Sequence, residues 1–579
     1  MGSANTLRTS TRADCQVLIV GAGPTGLVLA AELLARGVST RIIDRADGTV
    51  LQSRAIGVHA RTLEVLDVMG LAERLLERGH AVRHFRFYSN GRPLTEIDLS
   101  RNGSRFGFVL HVPQHVTESL LRARVAELGG TIDQGVELVA FQQDRAAVTA
   151  TVQDRAGGTR TITADFLAGC DGAHSRVRHE LGLAFQGHPY PDDVLLADVR
   201  LDWDRRRDAV HFFTRSDGRP LIGLPMPEDA WRLVMPSAGE RARRTPTLEE
   251  IQELVDERAP EHVTVTDPVW LASFRTHRRS ADTYRRGRVL LAGDALHIHP
   301  PAGGQGMNTG MTDAHNLAWK LALVVSGRSD DWLLDTYGAE RRPVAAQVIR
   351  LTHTMVQLGA IRHPLRRVAR DALLPAASRL PAVSRQAARR LGQIHVAYPG
   401  SGLTRPGGGR GGPRPGGRAP DIPVSGRSGP TRLYEVLRGR RHVLVISGPG
   451  ATTVVQESVP LRPYRDDLAV VEGEFGRRIR VLHRREDRVV LVRPDGYIAV
   501  CGRLGEMGSV LDYLRQLFPA GEPATERGSG VAGEPQAGLE GRVAIGRVIR
   551  WTATRFRSDP VAPRYGTLGR PGRSGRPGG

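Results

Sequence analysis

The hydrophobic pattern opens with a βαβ unit. From Cys15 the chain reads CQVLIV, then GAGPTG, then LVLAAELLARG, then VSTRIID: an apolar strand, a glycine turn, a helix of small apolar residues and a second strand. Helical periodicity follows at Arg61 to Glu77 and at Val116 to Leu128, and Val136 to Ala168 alternates like strands broken by the turn Ala156-Gly157-Gly158. From Asp193 to Pro236 the runs VLLADVRLDW, AVHFFT, PLIGLPM and AWRLVMP predict an antiparallel sheet in a second layer, suited to covering a substrate. At Gly287 the chain returns to a buried strand, RVLLAGDA, then a glycine-rich loop and a helix over Gly310 to Val325. Between Ile361 and Leu391 arginines punctuate an amphipathic pattern, which reads as a solvated helical surface rather than a membrane or nucleic-acid helix. Beyond the Gly/Pro/Arg stretch Pro406 to Gly417, the runs HVLVIS, VVLV and YIAVC, the turn Pro494-Asp495-Gly496 and a helix at Ser509 to Phe518 predict a small α/β module.

This order predicts an α/β chain with a dinucleotide-binding domain in two parts, 14–190 and 281–395, the second carrying interdomain helices. A sheet domain for substrate occupies 191–280, a flexible linker 396–430, a C-terminal α/β domain 431–520, and a disordered tail 521–579. With 579 residues, 40% of them hydrophobic and 25% charged, the chain has the composition of a soluble globular protein. It holds no apolar run long enough to cross a bilayer, and MGSANTLRTSTRADCQ has no signal-peptide core, so the expected location is the cytoplasm.

The net charge of +20 changes that picture little. Lys320 is the single lysine among 81 basic residues, a bias running through the whole chain rather than a basic patch. Part of the excess lies in Gly/Pro-rich segments, as with Arg405, Arg410, Arg414, Arg418 and Arg427. No recognised nucleic-acid-binding motif accompanies it, so nucleic acid is not the expected partner. Cys15, Cys170 and Cys501 form no C-x-x-C, which argues against a disulfide framework, a zinc cage or a dithiol centre.

Three separated motifs carry the candidate chemistry. Gly21-x-Gly23-x-x-Gly26, with Pro24 and Thr25 inside it, lies between strand and helix, and Asp44 ends the next strand. The glycines permit a tight turn and close backbone approach, the helix N-terminus faces a pyrophosphate, and the carboxylate accepts from a ribose diol. This motif alone leaves FAD and NAD open. The second motif is CDGAHSRVR from Cys170 to Arg178, and the third is GDALHIHPPAGGQGMN from Gly293 to Asn308.

On GAGPTG, CDGAHSRVR and GDALHIHPPAGGQGMNTG, in that order, the chain resembles the single-component FAD aromatic hydroxylases of the para-hydroxybenzoate hydroxylase fold. Among these it is most similar to the aromatic polyketide hydroxylases with a C-terminal thioredoxin-like domain. The resemblance implies a Rossmann-like FAD-binding domain, an antiparallel-sheet substrate domain and a thioredoxin-like end lacking C-x-x-C. It implies that Asp44 holds the adenosine ribose, with Arg45 a further FAD candidate, that Gln114 lies near the FAD phosphate and ribitol, and that Asp294 holds the ribityl chain. Pro301 would lie beside the flavin and the loop Gly303 to Asn308 along its pyrimidine edge. The backbone N–H groups of Gly306, Met307 and Asn308 would then stabilise negative charge at a helix start. Asp171-Gly172 would serve FAD and NAD(P)H, and Arg54 would lie where the flavin swings, although Asp171 could equally cap a turn and Arg54 make a surface ion pair. Arg54 and Pro301 are the two candidate catalytic residues. His297 and His299 read as structural histidines, and no metal is required.

The implied activity is monooxygenation: NADPH or NADH reduces FAD, O2 adds to give a flavin C4a-hydroperoxide, and a polycyclic aromatic polyketide-type phenol is hydroxylated. No base can be named from the chain. Phe212, Phe213 and Met226 are candidates for one pocket wall. Other readings are a Baeyer-Villiger or antibiotic-inactivating oxygenase on the same site, and a non-catalytic flavin-binding protein with basic partner-binding tails. A monomer or a homodimer fits the chain equally.

Overall fold

The computed structural model describes residues 13–48, 55–237, 244–405, 413–426, 429–446, 468–473, 488–503 and 507–519. Arg54 and the 521–579 segment lie outside them. The apolar strand Cys15–Val20 is central to an eight-stranded sheet, parallel on one side to Thr40–Asp44 and on the other to Thr159–Gly169. Val289–Leu291 extends that sheet in parallel, and so the motif after it rejoins the first βαβ unit. Strands Val136–Gln143 and Val148–Asp154 form an antiparallel flap on Thr159–Gly169. Helix Pro24–Leu34, buried from Gly26 to Leu33, packs against the long helix Gln305–Val325, which begins five residues ahead of its sequence expectation.

A second eight-stranded sheet runs His297–Ile298, Thr264–Ser280, Gln186–Asp202, Ala230–Ser237, Leu221–Pro225, Ala209–Thr214, His84–Ser89, Arg92–Asp98. The hairpin from His84 to Asp98 belongs to it, although the 191–280 domain did not include that segment. Its first strand is His297–Ile298, from the third motif, which pairs with Ser280 and Arg279. This second sheet is thereby hydrogen-bonded directly to the segment leading into the glycine loop at Gly303 and Gly304.

Alternation decides the fate of the proposed pocket wall. Phe213 turns to the outer face, stacks on Tyr88 with centroids 4.6 Å apart and joins the core under helix Leu248–Arg258. Phe212 turns the other way, 5.6 Å from Phe87 and close to helix Trp332–Gly359 at Gly359. Met226 is buried at the hairpin base. Of the three, Phe212 and not Phe213 faces the helix Trp332–Gly359.

The arginine-studded region forms two helices, Pro364–Ser378 and Pro381–Leu391, which leave Leu365, Val368, Leu373, Leu380 and Val383 exposed. The stretch expected as a flexible linker is held down wherever it is described. Tyr398, Leu403, Ala419, Ile422 and Val424 are buried, and Val424 pairs in a six-stranded C-terminal sheet. Glycine and proline dominate its composition, but these spaced apolar side chains anchor it. That sheet runs Gly429–Arg432, Pro423–Gly426, Leu468–Gly473, His442–Ile446, Arg488–Val492, Ile498–Arg503, with helix Gly508–Leu517 packed on it. Trp319 and Leu333 enter one of its cores and Val68 the other, which joins the module to the first domain.

Candidate active site

The three motifs converge. Gly21 has φ +104°, and a Cβ there would overlap the Cys170 carbonyl oxygen, so the first motif sits directly on the second. Thr25 lies between Gly293 and Gly310, its Oγ1 2.6 Å from where a Gly293 Cβ would stand, which brings in the third. Arg178 fastens the second motif to the third by donating to the carbonyl oxygens of Ala295 at 3.0 Å and Ala173 at 2.9 Å.

Asp44 accepts from the backbone N–H of Ala22 at 2.5 Å and of Ala46 at 2.8 Å, which fixes its carboxylate over the glycine turn. With Gly23, Gln114, Glu118, Arg122 and the strand Trp270 to Phe274 it lines a cavity of 530 Å³. A Cβ on Gly23 would meet nothing within 4 Å, so this wall of the cavity is bare backbone open to a ligand. Gln114 donates to Glu118 at 2.8 Å and accepts from Ala55 N–H at 3.3 Å. Burial raises the Glu118 carboxyl above its ordinary value, against the Gln114 hydrogen bond, and Asp44 adds to the rise. Arg45 is exposed and is not among the residues lining this cavity.

Asp171 is occupied differently from its candidate role. One oxygen accepts from Ser175 at 2.6 Å and the other from the N–H of Val177 at 3.0 Å, so the carboxylate holds the turn into the helix Arg176–Glu180. Gly172 supplies the positive φ of that turn, +78°.

At the third motif, Gly293 (φ +64°) turns the chain and leaves Asp294 exposed between buried neighbours. Pro301 is exposed at the head of the loop, and Gly303 and Gly304 follow with φ +72° and +63°. The loop is locked from beneath by Asn308, whose amide donates to the carbonyls of Gly57 and Gly304, both at 2.8 Å, and accepts from His59 N–H at 2.8 Å. Gln305 donates to Gly303 and accepts from Gln393 at 2.7 Å. Gly306 and Met307, half-buried, open the long helix.

Sequence reasoning missed the support beneath this loop. Asp313, fully buried, bonds His297 Nε2 at 2.7 Å and Arg341 Nε at 2.6 Å and accepts from Gly293 N–H at 3.3 Å. Burial opposes its ionisation, but Arg341 and His297 outweigh that and hold the carboxyl below its ordinary value. The available signal was an aspartate standing alone in an apolar helix, in TDAHNLAWKLALVV.

These groups fit FAD: an acid at a glycine turn, an open backbone wall, a second acid on a glycine-induced bend, and a glycine loop at a helix start. Asp44 and Gly23 would hold the adenosine end, and Asp294 with the Gly303 to Asn308 loop the flavin end. Asp294→Ala is expected to lower the flavin-to-protein absorbance ratio after gel filtration while leaving the far-ultraviolet dichroism unchanged; a full flavin complement would remove Asp294 from the site.

Comparison with known proteins shows the family and its cofactor. Residues 14–352 match the model of an FAD binding domain, and residues 412–520 that of the C-terminal domain of aromatic-ring hydroxylases. The chain is 36% identical over 540 residues to 6-methylpretetramide 4-monooxygenase of Streptomyces rimosus, covering 90% of this chain and 96% of that one. It is 40% identical over 345 residues to rifampicin monooxygenase of Streptomyces venezuelae, covering 59% of this chain and 71% of that one. Among solved structures it matches OxyS anhydrotetracycline hydroxylase from Streptomyces rimosus with a TM-score of 0.72 at 34% identity, over 88% of this chain and 100% of that chain. The chain belongs to the FAD-dependent aromatic-ring hydroxylases, which are flavin monooxygenases.

Proposed function

We propose that this monooxygenase hydroxylates a polycyclic aromatic phenol of polyketide type, with NADPH or NADH as reductant and O2 as oxygen donor. The observation that carries the reading is the apolar wall facing the flavin loop. Phe87, Phe212, Ile222, Leu224 and Met355 are only half-buried, and Met355 Cε stands 3.4 Å from where a Gly303 Cβ would be. A flat, bulky, mostly apolar substrate would cover this surface beside Pro301. The tetracycline-pathway names of relatives matched over almost the whole chain support the same substrate class.

FAD held by Asp44, Asp294 and the Gly303 to Asn308 loop would supply hydride acceptance from the nicotinamide and activation of O2. The chain's own residues supply position and exclusion of water. The substrate sheet is tied to the loop through His297–Ile298, the Asn308 and Gln305 amides fix the loop's backbone, and the aromatic wall keeps the reacting face dry.

In the same reading the C-terminal domain is thioredoxin-like and redox-silent, with Cys501 buried and no second cysteine near it in sequence. Its role is structural. The enzyme works in the cytoplasm as a monomer or homodimer; among the described residues no helix is long and apolar enough to cross a membrane.

The test is NADPH and NADH oxidation by the yellow protein with and without a panel of anthraquinone and angucycline phenols. The expected result is phenol-stimulated oxidation and a product heavier by one oxygen atom. Absence of stimulation by every phenol would defeat the substrate class. The rifampicin monooxygenase likeness favours one second reading, oxygen transfer to an antibiotic. A ring-inserted or inactivated product would identify it.

A further inference from the structure

Each histidine of HIHPP has one ring nitrogen bonded and one buried without a partner: His297 bonds Asp313 through Nε2 and leaves Nδ1, whereas His299 leaves Nε2. The other ring nitrogen of His299, Nδ1, lies 2.9 Å from the carbonyl oxygen of Pro300. A carbonyl can only accept, so Nδ1 carries the proton. In a neutral ring, Nε2 is then a bare lone pair. Burial keeps the ring neutral, pushing its pKa down to about 4 against the Pro300 hydrogen bond.

The Nε2–Cε1 edge of His299 faces the start of the long helix. Nε2 lies 3.7 Å and Cε1 3.8 Å from where a Gly306 Cβ would stand, and the same point is 4.0 Å from Asp294 Oδ1. Two acceptors, a carboxylate and an imidazole nitrogen, thus flank one bare glycine. A buried acceptor left unmatched costs free energy, so the group that lies here must bring donors. On a flavin's pyrimidine edge the two carbonyls and N1 are acceptors and do not match, and N3–H is a single donor that cannot serve two acceptors. A polyol chain does, because each hydroxyl can donate to one acceptor and accept from a backbone N–H.

We propose that His299 is a positioning residue for FAD, its Nε2 accepting a hydrogen bond from one ribityl hydroxyl while Asp294 takes another. This rests on the assignment of Asp294 to the ribityl chain. The long helix then receives the flavin with its ribityl chain held on both sides.

The experiment compares flavin release from diluted holoenzyme, followed by flavin fluorescence, for the natural protein, His299→Leu and His299→Gln. Each is loaded with FAD or with an analogue lacking the 2′-, 3′- or 4′-hydroxyl of the ribityl chain. His299→Leu is expected to raise the FAD dissociation constant about tenfold, the effect of one lost hydrogen bond at a buried site. The natural protein should bind two of the three analogues about tenfold more weakly than FAD, one for each acceptor, and His299→Leu should no longer distinguish one of those two from FAD. His299→Gln, whose side-chain carbonyl can accept, should recover most of the affinity. Unchanged FAD affinity in His299→Leu would overturn the proposal, as would an equal loss with FAD and all three analogues. If Asp294→Ala keeps its flavin, the ribityl assignment of Asp294 fails separately, whatever His299 does.

Discussion

Glu340→Ala is expected to lose about 3–5 kcal/mol of stability, because it strips the shared counter-charge from a buried ion cluster. Glu340 accepts from Arg493 at 2.5 and 2.8 Å, from Lys320 at 2.8 Å, from Asn316 at 2.8 Å and from Ser401 at 2.6 Å. Lys320 and Arg493 are 0% exposed, and Asp495, which also pairs with Arg493, is 2% exposed. Removing Glu340 leaves two buried cations facing one acid. The cluster also spans the molecule: Lys320 and Glu340 come from the long helices of the first domain, Arg493 and Asp495 from the turn of the C-terminal sheet. The loss should therefore loosen the C-terminal module as well as lower the urea midpoint.

Glu340→Gln separates charge from shape. It keeps the volume and most hydrogen-bonding positions, so it should cost nearly as much as alanine if charge dominates and little if the cavity dominates. The pH dependence follows in sign. Burial opposes ionisation of Glu340, but Arg493 and Lys320 outweigh it and hold the folded carboxyl well below its ordinary 4.5. The contribution is thus complete above pH 4.5 and is lost as pH falls below it, where the unfolded chain takes up the proton first. Acid unfolding of Glu340→Gln should be correspondingly less steep between pH 5 and 3, on the order of one titrating group.

This cluster shows why part of the molecule is illegible in sequence. Lys320 is visible as the single lysine, and Pro494-Asp495-Gly496 as a turn, but nothing in the chain says that Asn316 joins the two, accepting from Lys320 and donating to Asp495. The same holds for Asp313 and Arg341, which meet from two helices, and for the hairpin His84 to Asp98, whose second strand is mostly polar and only partly buried. The glycine motifs were readable for the opposite reason. Gly21, Gly293 and Gly303 adopt positive φ, a local demand that few other residues satisfy, so the chemistry is written at the position itself. Charge misled least where it was ignored. Arg61, Arg341, Arg418 and Arg493 are buried or nearly so in specific ion pairs, so much of the arginine content serves the interior.

Gly26→Ala is expected to abolish flavin retention, and Gly23→Ala to separate the two reasons for glycine in this turn. A Cβ on Gly26 would overlap the carbonyl oxygen of Gly21 and come within 3.3 Å of Cys170 Cβ. The obstacle is backbone, which cannot swing aside, so helix Pro24–Leu34 must move away from the turn. Overpacking of this kind costs about 1–3 kcal/mol in a core, and here the displaced helix also carries Thr25 out from between Gly293 and Gly310. Both ends of the proposed flavin site would shift together. The purified variant should be colourless with a depressed melting temperature. At Gly23 no protein atom lies within 4 Å of an added Cβ, so Gly23→Ala should melt like the natural protein without flavin. Its methyl would instead enter the space where the pyrophosphate approaches, raising the FAD dissociation constant at least about tenfold through lost backbone contact. Natural FAD affinity in Gly23→Ala would mean that the phosphates do not pass this wall, and the cavity at Asp44 would then need another occupant.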